Sequence, residues 1–333
     1  MFQLLTHTDI PFMRHRKIAY LVSGALVLAT AVWLMLHGGP RYGVDFTGGT
    51  LMQIRTSQQL PADQVREALD AAGFKGAELQ QMAGENRNEF MLRLPVSERG
   101  GDPFPPVRAA IQARHPGVNV ELRRNEQVGP KVGGELRQKA VMAVLLSLLA
   151  ILVYVGIRYE FKFALGAVVA LFHDVFVTLG MLCFTGREVS LTVVAALLTI
   201  AGFSINDTIV VFDRIRERSR ALRKEPHARV MDIAVNETLS RTIITSLTVF
   251  LTALALFVWG GEVLHDFSFA MLVGIGFGTF SSVYVASALA LDIWQWLDRR
   301  KNVRVEAPRG ETSRRVVRAE GTKARTEATK GTR

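Results

Sequence analysis

Six long apolar segments constrain this chain more than any other feature: Ile18–Leu36, Ala140–Ile157, Phe161–Phe184, Leu191–Phe212, Ile243–Trp259 and Phe267–Trp294. At ~1.5 Å rise per residue, each reaches most or all of the way across a ~30 Å hydrocarbon core. Inside such a core the backbone must satisfy its own hydrogen bonds, so each segment is expected to be a helix. The chain is 49% hydrophobic and still 21% charged, as expected for apolar blocks separated by polar ones. An α-helical integral membrane protein with six transmembrane helices follows. Arg14, Arg16 and Lys17 precede the first segment, but its apolar stretch is too long for a secretory signal core. No small-x-small cleavage site follows it, so it reads as a retained anchor. The single cysteine, Cys183, can form neither an intrachain disulfide nor a cysteine-based metal site.

Orientation follows from Lys and Arg near the span ends. Residues 1–17 carry three basic residues, "RYEFK" supplies Arg158 and Lys162, and the stretch 213–240 after span four carries seven. The links "TGREVS" and "GEVLHD" on the other side hold one between them, Arg187. Both termini are therefore expected on the cytoplasmic side and residues 37–139 outside. The net charge of +10 is accounted for by this topology rather than by nucleic-acid binding.

The outer block alternates strand and helix signals. "TLMQIRT" alternates apolar and polar residues; "PADQVREALDAAG" opens on proline and stops at glycine as a helix does. "AELQQMA" and "EFMLRLP" read as strands joined by the turn-rich "GENRN", "FPPVRAAIQARHPG" as a second helix, and "VNVELRR" as a last strand. The order βαββαβ is that of a split βαβ, ferredoxin-like α+β unit. The basic tail, 298–333, is poor in large apolar residues and is expected to stay disordered and solvated, weak attraction to anionic membrane lipid or to acidic partners being the alternatives.

An acidic residue near the middle of a span costs about 2.5–3.5 kcal/mol on insertion scales, so it needs a partner or a purpose. Asp174, in "ALFHDVFV", lies ~20 Å along span three; Asp207, in "GFSINDTIVVFDRIRE", lies ~24 Å from Leu191. Asp213 and Asp292 stand near span ends, where they can reach the interface. Ser204, Asn206 and Thr208 surround Asp207 in sequence. In "NETLSRTIITSLTVFLT", Arg241 is followed by Thr245, Thr248 and Thr252 at i+4, i+7 and i+11, one helical face. With Asp207 at similar depth, that polar stripe suggests a proton path; helix–helix adhesion is the bland reading. His173 beside Asp174 is half of a metal site without a second half, so packing or a secondary relay role is expected and no metal is. The glycines of "GIGFGTF" suit close helix packing. No GxxxxGK[ST] loop and no nucleophile–base arrangement is present, so neither ATP use nor an enzymatic role is expected.

Four motifs in order resemble the SecF family of bacterial protein-export membrane proteins, in the SecD/SecF group of the resistance-nodulation-division (RND) superfamily. They are "RYGVDFTGGT", "LFHDV", "GFSINDTIVVFDRIRE" and "NETLSRTIITS", and the likeness runs over residues 10–300. The resemblance implies a subunit of the cell inner membrane with a periplasmic outer domain. It also implies pairing with a second six-span half, SecD, and association with the SecYEG channel and YajC. It implies use of the proton-motive force to pull a preprotein after the motor SecA has acted. The family's buried aspartate falls on Asp207 and its "SRT" arginine on Arg241. Gly43, Asp45, Gly48 and Gly49 then stand where a hinge beneath the moving domain is expected, a tight turn without motion being the equal alternative. No cofactor is implied. The rival readings are a proton-coupled RND-type small-molecule exporter subunit and a purely structural membrane chaperone.

Overall fold

The computed structural model describes residues 8–74, 77–82, 88–94, 101–159 and 161–306, without side-chain detail at 161–162, 262–263 and 300–306. Most of the expected "GENRN" link and the tail beyond Glu306 lie outside the described residues. Among those described, six helical stretches are long and apolar enough to cross a membrane.

A 3-10 turn, Phe12–His15, leads into α1 (Arg16–His37), which ends at Gly38 in the left-handed conformation. A one-turn helix α2 (Val44–Thr47) then starts the outer domain: β1 (Gly49–Thr56), α3 (Ala62–Ala71), β2 (Glu78–Gln81), β3 (Glu89–Leu94), α4 (Phe104–Arg114) and β4 (Val120–Val128). The strands form one sheet in the order β2-β3-β1-β4, every neighbour antiparallel. Alternation in β1 and β3 turns Met52, Ile54, Phe90 and Leu92 onto one face. Val65 and Leu69 of α3 and Val107 and Ile111 of α4 cover that face, closing a core separate from the membrane helices. β4 runs four residues past the expected "VNVELRR" and delivers the chain into α5.

The remaining helices are α5 (Pro130–Arg158), α6 (Phe161–Phe184), α7 (Leu191–Ala221), α8 (His227–Trp259), α9 (Gly261–Phe280), a π-helical turn (Ser281–Ala286) and α10 (Ser287–Glu306). Three boundaries differ from expectation. α5 begins ten residues before Ala140, because Pro130 suits a first helical position and Gly133 lets the helix lie against the backbone of Phe46 and Gly48. The stretch 213–240, expected as a loop, is almost all helix: α7 runs to Ala221 and α8 starts at His227. Arg214 and Arg218 of α7 both bond Glu237 of α8, so the polar parts of the two helices remain paired beyond the apolar segments. α10 continues to Glu306, past the expected start of the tail at Asp298.

α6 and the α9–α10 run are the most enclosed, whereas α1, α5 and α8 expose most of their apolar windows. Small residues set the close contacts. A side chain at Gly274 would collide with Ile200 of α7, and one at Gly180 with Thr30 of α1. Gly276, also in the "GIGFGTF" motif, faces open space.

Residues 10–13 are tied to this bundle. Phe12 and Met13 are buried, the Met13 amide donates to Asp232 at 2.8 Å, and Ile10 exchanges two hydrogen bonds with the Asn236 side chain. Asp292, expected merely to reach the interface, instead accepts from Tyr20 at 2.9 Å and pairs with Arg16 at 3.2 Å.

Candidate functional site

Two carboxylates sit inside the helix bundle. Asp174 of α6 is 0% exposed and Asp207 of α7 is 5% exposed. An ionised carboxylate buried in this way is tolerated only when donors surround it, and both have them. Asp174 accepts from Ser204 of α7 at 2.5 Å and from Ser281 at 2.6 Å, with His173 Nδ1 2.9 Å away. Asp207 accepts from Thr242 of α8 at 3.0 Å and from Ser282 at 3.3 Å.

Consecutive residues of the π turn therefore serve the two acids separately. A π turn inserts one extra residue into a helical turn, widening it and changing which side chains face inward. Gly278, just before the turn, lets α9 approach: a Cβ there would stand 3.3 Å from that of Ser204 and 3.7 Å from Asp174 Oδ2. A line of hydroxyls continues beside Asp207. Thr279 lies 2.7 Å from the Ser246 hydroxyl of α8, and the single Ser282 proton is shared between Asp207 and the Thr279 carbonyl, 3.1 Å away. His173 Nε2 is buried and has no hydrogen-bond partner among the described residues.

The expected site residues divide into those that converge and those that do not. Asp174, Asp207 and Ser204 are in the bundle, but Ser204 serves Asp174 rather than its sequence neighbour Asp207. Thr208 bonds back to the Ser204 carbonyl. Thr245, Thr248 and Thr252 do not line Asp207: each hydroxyl donates to a carbonyl of its own helix, and Thr248 and Thr252 are exposed. Asn206 and Arg241 are exposed as well. Each precedes by one position the residues that do meet, Asp207 and Thr242, and so points away. Arg241 makes no hydrogen bond or ion pair with Asp207, although it lies near enough to act on it electrostatically.

Thr242, Ser246, Thr279, Ser281 and Ser282 complete the site and were missed in the sequence. A signal existed: Thr238, Thr242 and Ser246 are spaced by four, as regular a polar face as the one chosen, and "GTFSS" is a polar run inside a span. Choosing between two faces of one helix requires knowing its neighbours.

The expected hinge is a compact, capped turn. Gly48 and Gly49 have φ of 73° and 129°, and a Cβ on Gly48 would lie 2.9 Å from Pro130 Cα. The Gly43 amide donates to the Val189 carbonyl, and the Val189 amide donates in turn to the Arg41 carbonyl. Asp45 Oδ2 accepts from the amide of Leu191, the first residue of α7, at 2.8 Å. The root of the sheet domain thus caps the helix that carries Asp207. Arg93 of β3 also bonds Glu188 in the α6–α7 link through both terminal nitrogens. No cluster of three metal-ligating side chains occurs among the described residues.

Known proteins resemble this chain along most of its length. Residues 109–296 match the family described as protein export membrane protein SecD/SecF, C-terminal, and residues 33–60 match the SecD/SecF GG motif, which includes Gly48 and Gly49. The protein translocase subunit SecF of Vibrio alginolyticus is 45% identical over 295 residues, covering 88% of this chain and 93% of that protein. The SecF subunit of Escherichia coli O157:H7 is 42% identical over 284 residues, covering 85% of this chain and 87% of its own. Among solved structures, SecDF from Thermus thermophilus, a translocon-associated membrane protein, superposes with a TM-score of 0.78 at 38% identity. That match covers 89% of this chain but 40% of the SecDF chain, so this chain spans two fifths of that protein's length. With six membrane-crossing helices, the GG turn beneath a small sheet domain and these matches along most of its length, the chain is a multi-pass membrane protein and belongs to the SecF family of protein translocase subunits.

Proposed function

We propose that this accessory subunit of the Sec translocase uses the proton-motive force to promote preprotein movement, with Asp207 and Asp174 as the groups that take up and release protons. The observation that carries the reading is the pair of buried carboxylates served by consecutive serines of one π turn. A hydroxyl donates to a carboxylate but can accept from a carboxylic acid. Protonating either acid therefore reverses a hydrogen bond to the π turn and shifts the preferred packing of α6, α7 and α9. Ser246 and Thr279 supply further hydroxyls along which a proton could approach Asp207. One charge crossing the membrane field releases ~2.3 kcal/mol per 100 mV, enough to bias two packings of similar energy.

The capped end of α7 would carry that shift outward. Asp45 and the Tyr42–Val189 bridge join the top of α7 to the root of the sheet domain, so movement of the helix along its axis acts on the domain. The order β2-β3-β1-β4 with two covering helices supports the ferredoxin-like assignment, and the basic residues near span ends support a periplasmic domain, cytoplasmic termini and residence in the inner membrane. SecYEG, YajC and the translocating preprotein would be the partners of the assembly. The role is mechanical rather than enzymatic.

The outward face formed by Gly202 and Asn206 of α7 with Arg241, Thr248 and Thr252 of α8 is small and polar, a composition that suits helix–helix contact in lipid better than lipid itself. This is the face on which the SecD half would dock, bringing Arg241 beside a second set of membrane-buried groups.

The test is preprotein translocation into proteoliposomes holding SecYEG, SecA, SecD and this chain, with and without a proton gradient. Asp207→Asn preserves size and polarity while removing titration. It should reach the membrane and copurify with SecD, yet lose the stimulation that the gradient gives. Gradient-dependent stimulation at the wild-type level would overturn the proposal.

A further inference from the structure

At the end of α5 farthest from the sheet domain, a cleft of about 690 Å³ opens between α5 and α7. It is lined by Arg158, Asp213, Arg216, Glu217, Arg220 and Ala221. Of the two acids, Glu217 is already paired with Arg214 at 2.6 Å, and Asp213 lies 3.9 Å from Arg158. The three arginines are not engaged in the same way. Arg158 approaches Asp213 only to 3.9 Å, and Arg216 and Arg220 make no hydrogen bond or ion pair to a described residue. Three guanidinium groups thus border one cleft with most of their donors unused.

The surface leading to this cleft is apolar. Val153, Tyr154 and Ile157 are exposed along the last turns of α5, Ile157 at 84%, and Arg158 follows immediately. Higher on the same helix, Leu145, Leu146 and Leu149 are exposed too, so the apolar face spans the membrane segment. An apolar column ending in a basic cleft matches a molecule with a hydrocarbon body and an anionic head. Guanidinium groups bind phosphate oxygens in pairs, and basic pockets at the ends of membrane helices favour anionic headgroups.

We propose that this cleft binds the headgroup of an anionic phospholipid. Arg158, Arg216 and Arg220 hold the phosphate, and the acyl chains lie along Val153, Tyr154 and Ile157. The lipid fills the angle between α5, which has few packed neighbours in the bundle, and α7, which carries Asp207. The proposal stands apart from the proton reading, since it requires neither aspartate to titrate.

The experiment is native mass spectrometry of the full-length chain released from nanodiscs of phosphatidylcholine alone or of phosphatidylcholine and phosphatidylglycerol in equal parts. The wild type should retain phosphatidylglycerol in preference to phosphatidylcholine. Arg158→Gln, Arg216→Gln and Arg220→Gln should each weaken retention by roughly fivefold, the effect of removing one basic residue from an anionic surface. Arg223→Gln/Lys224→Gln removes positive charge from the link between α7 and α8, outside the cleft, and should leave retention unchanged. Thermal unfolding in detergent should be the same for all variants, which separates loss of lipid from loss of fold. Equal retention by wild type and the cleft variants overturns the proposal, as does an equal loss in the Arg223/Lys224 variant. Displacement of the lipid by inorganic phosphate at comparable concentration would make the cleft a site for free anions and overturn the lipid assignment. Cleft variants that keep the lipid but no longer copurify with SecD would make it a protein contact and likewise overturn that assignment.

Discussion

Ser281 and Ser282 are neighbours in the chain, yet they donate to different buried carboxylates, Ser281 to Asp174 and Ser282 to Asp207. The two acids lie on different helices and, among the described residues, no other pair of adjacent residues bonds both. If the two acids exchange protons as proposed, the π turn links them, as does α7, which carries Asp207 and bonds Asp174 through Ser204.

The first prediction separates the two serines. Asp174 keeps His173 and Ser204 if Ser281 is lost, whereas Asp207 keeps only Thr242 if Ser282 is lost. A hydrogen bond to a charged group contributes about 1.5–3 kcal/mol. Ser282→Ala should therefore depress gradient-driven translocation more than Ser281→Ala does, in the proteoliposome assay. No effect from either substitution would show that the π turn has no part in coupling, and equal effects would show that the number of remaining donors does not set the loss.

A second prediction distinguishes the two faces of α8. Thr242→Val removes a donor to Asp207 without changing shape, so translocation should lose its gradient dependence while SecD still copurifies. Thr248→Phe puts bulk on the exposed face and should weaken SecD copurification. Reversed results would place SecD elsewhere and Thr242 outside the proton site.

Asp45 offers a test of mechanical linkage. Asp45→Ala removes the carboxylate that accepts from the first amide of α7, leaves the N-cap Ser190 in place, and should cost about 0.5–1.5 kcal/mol, the range for one hydrogen bond. The sheet domain's core does not include this residue, so the loss should appear in unfolding of the membrane helices. Translocation should fall while the gradient still protonates the chain, measured as proton uptake per chain. If translocation is untouched, the cap is structural only.

Within the attachment of residues 9–13 to the bundle, the Asp9–Arg229 pair has a pH dependence of known sign. The Arg229 guanidinium beside the exposed Asp9 holds its carboxyl below the ordinary value of 3.8. Folding therefore disfavours protonation, and this pair's contribution to the attachment is complete above that value. It is lost as the pH falls through the lowered value. The protection of the Ile10 amide from hydrogen exchange, relative to its intrinsic rate at each pH, should be constant at neutral and mildly acidic pH and should fall only in that acid range, Asn236 being non-titrating. Asp9→Asn should remove the contribution of this pair to that step and speed exchange at neutral pH. An unchanged profile would show that the ion pair holds nothing in place.

Length and apolarity were enough to find the six spans, because a bilayer admits little besides helices long enough to cross it. Period-two and helical patterns gave the order of strands and helices in the outer domain, since one buried face is imposed locally along each element. The same cost of burying charge picked out Asp174 and Asp207. The sequence could not say which hydroxyls they meet. Ser204 meets Asp174 where Gly278 lets α9 pack closely against α7, Thr242 of α8 meets Asp207, and the π turn presents Ser281 and Ser282 to the two acids. Asp45 caps α7 from 146 residues away. Whether a polar stripe faces a carboxylate or the outside depends on how each helix is rotated about its own axis. That rotation is fixed by contacts between distant segments, so the Arg241–Thr252 face and the Thr238–Ser246 face became distinguishable only once the bundle was assembled.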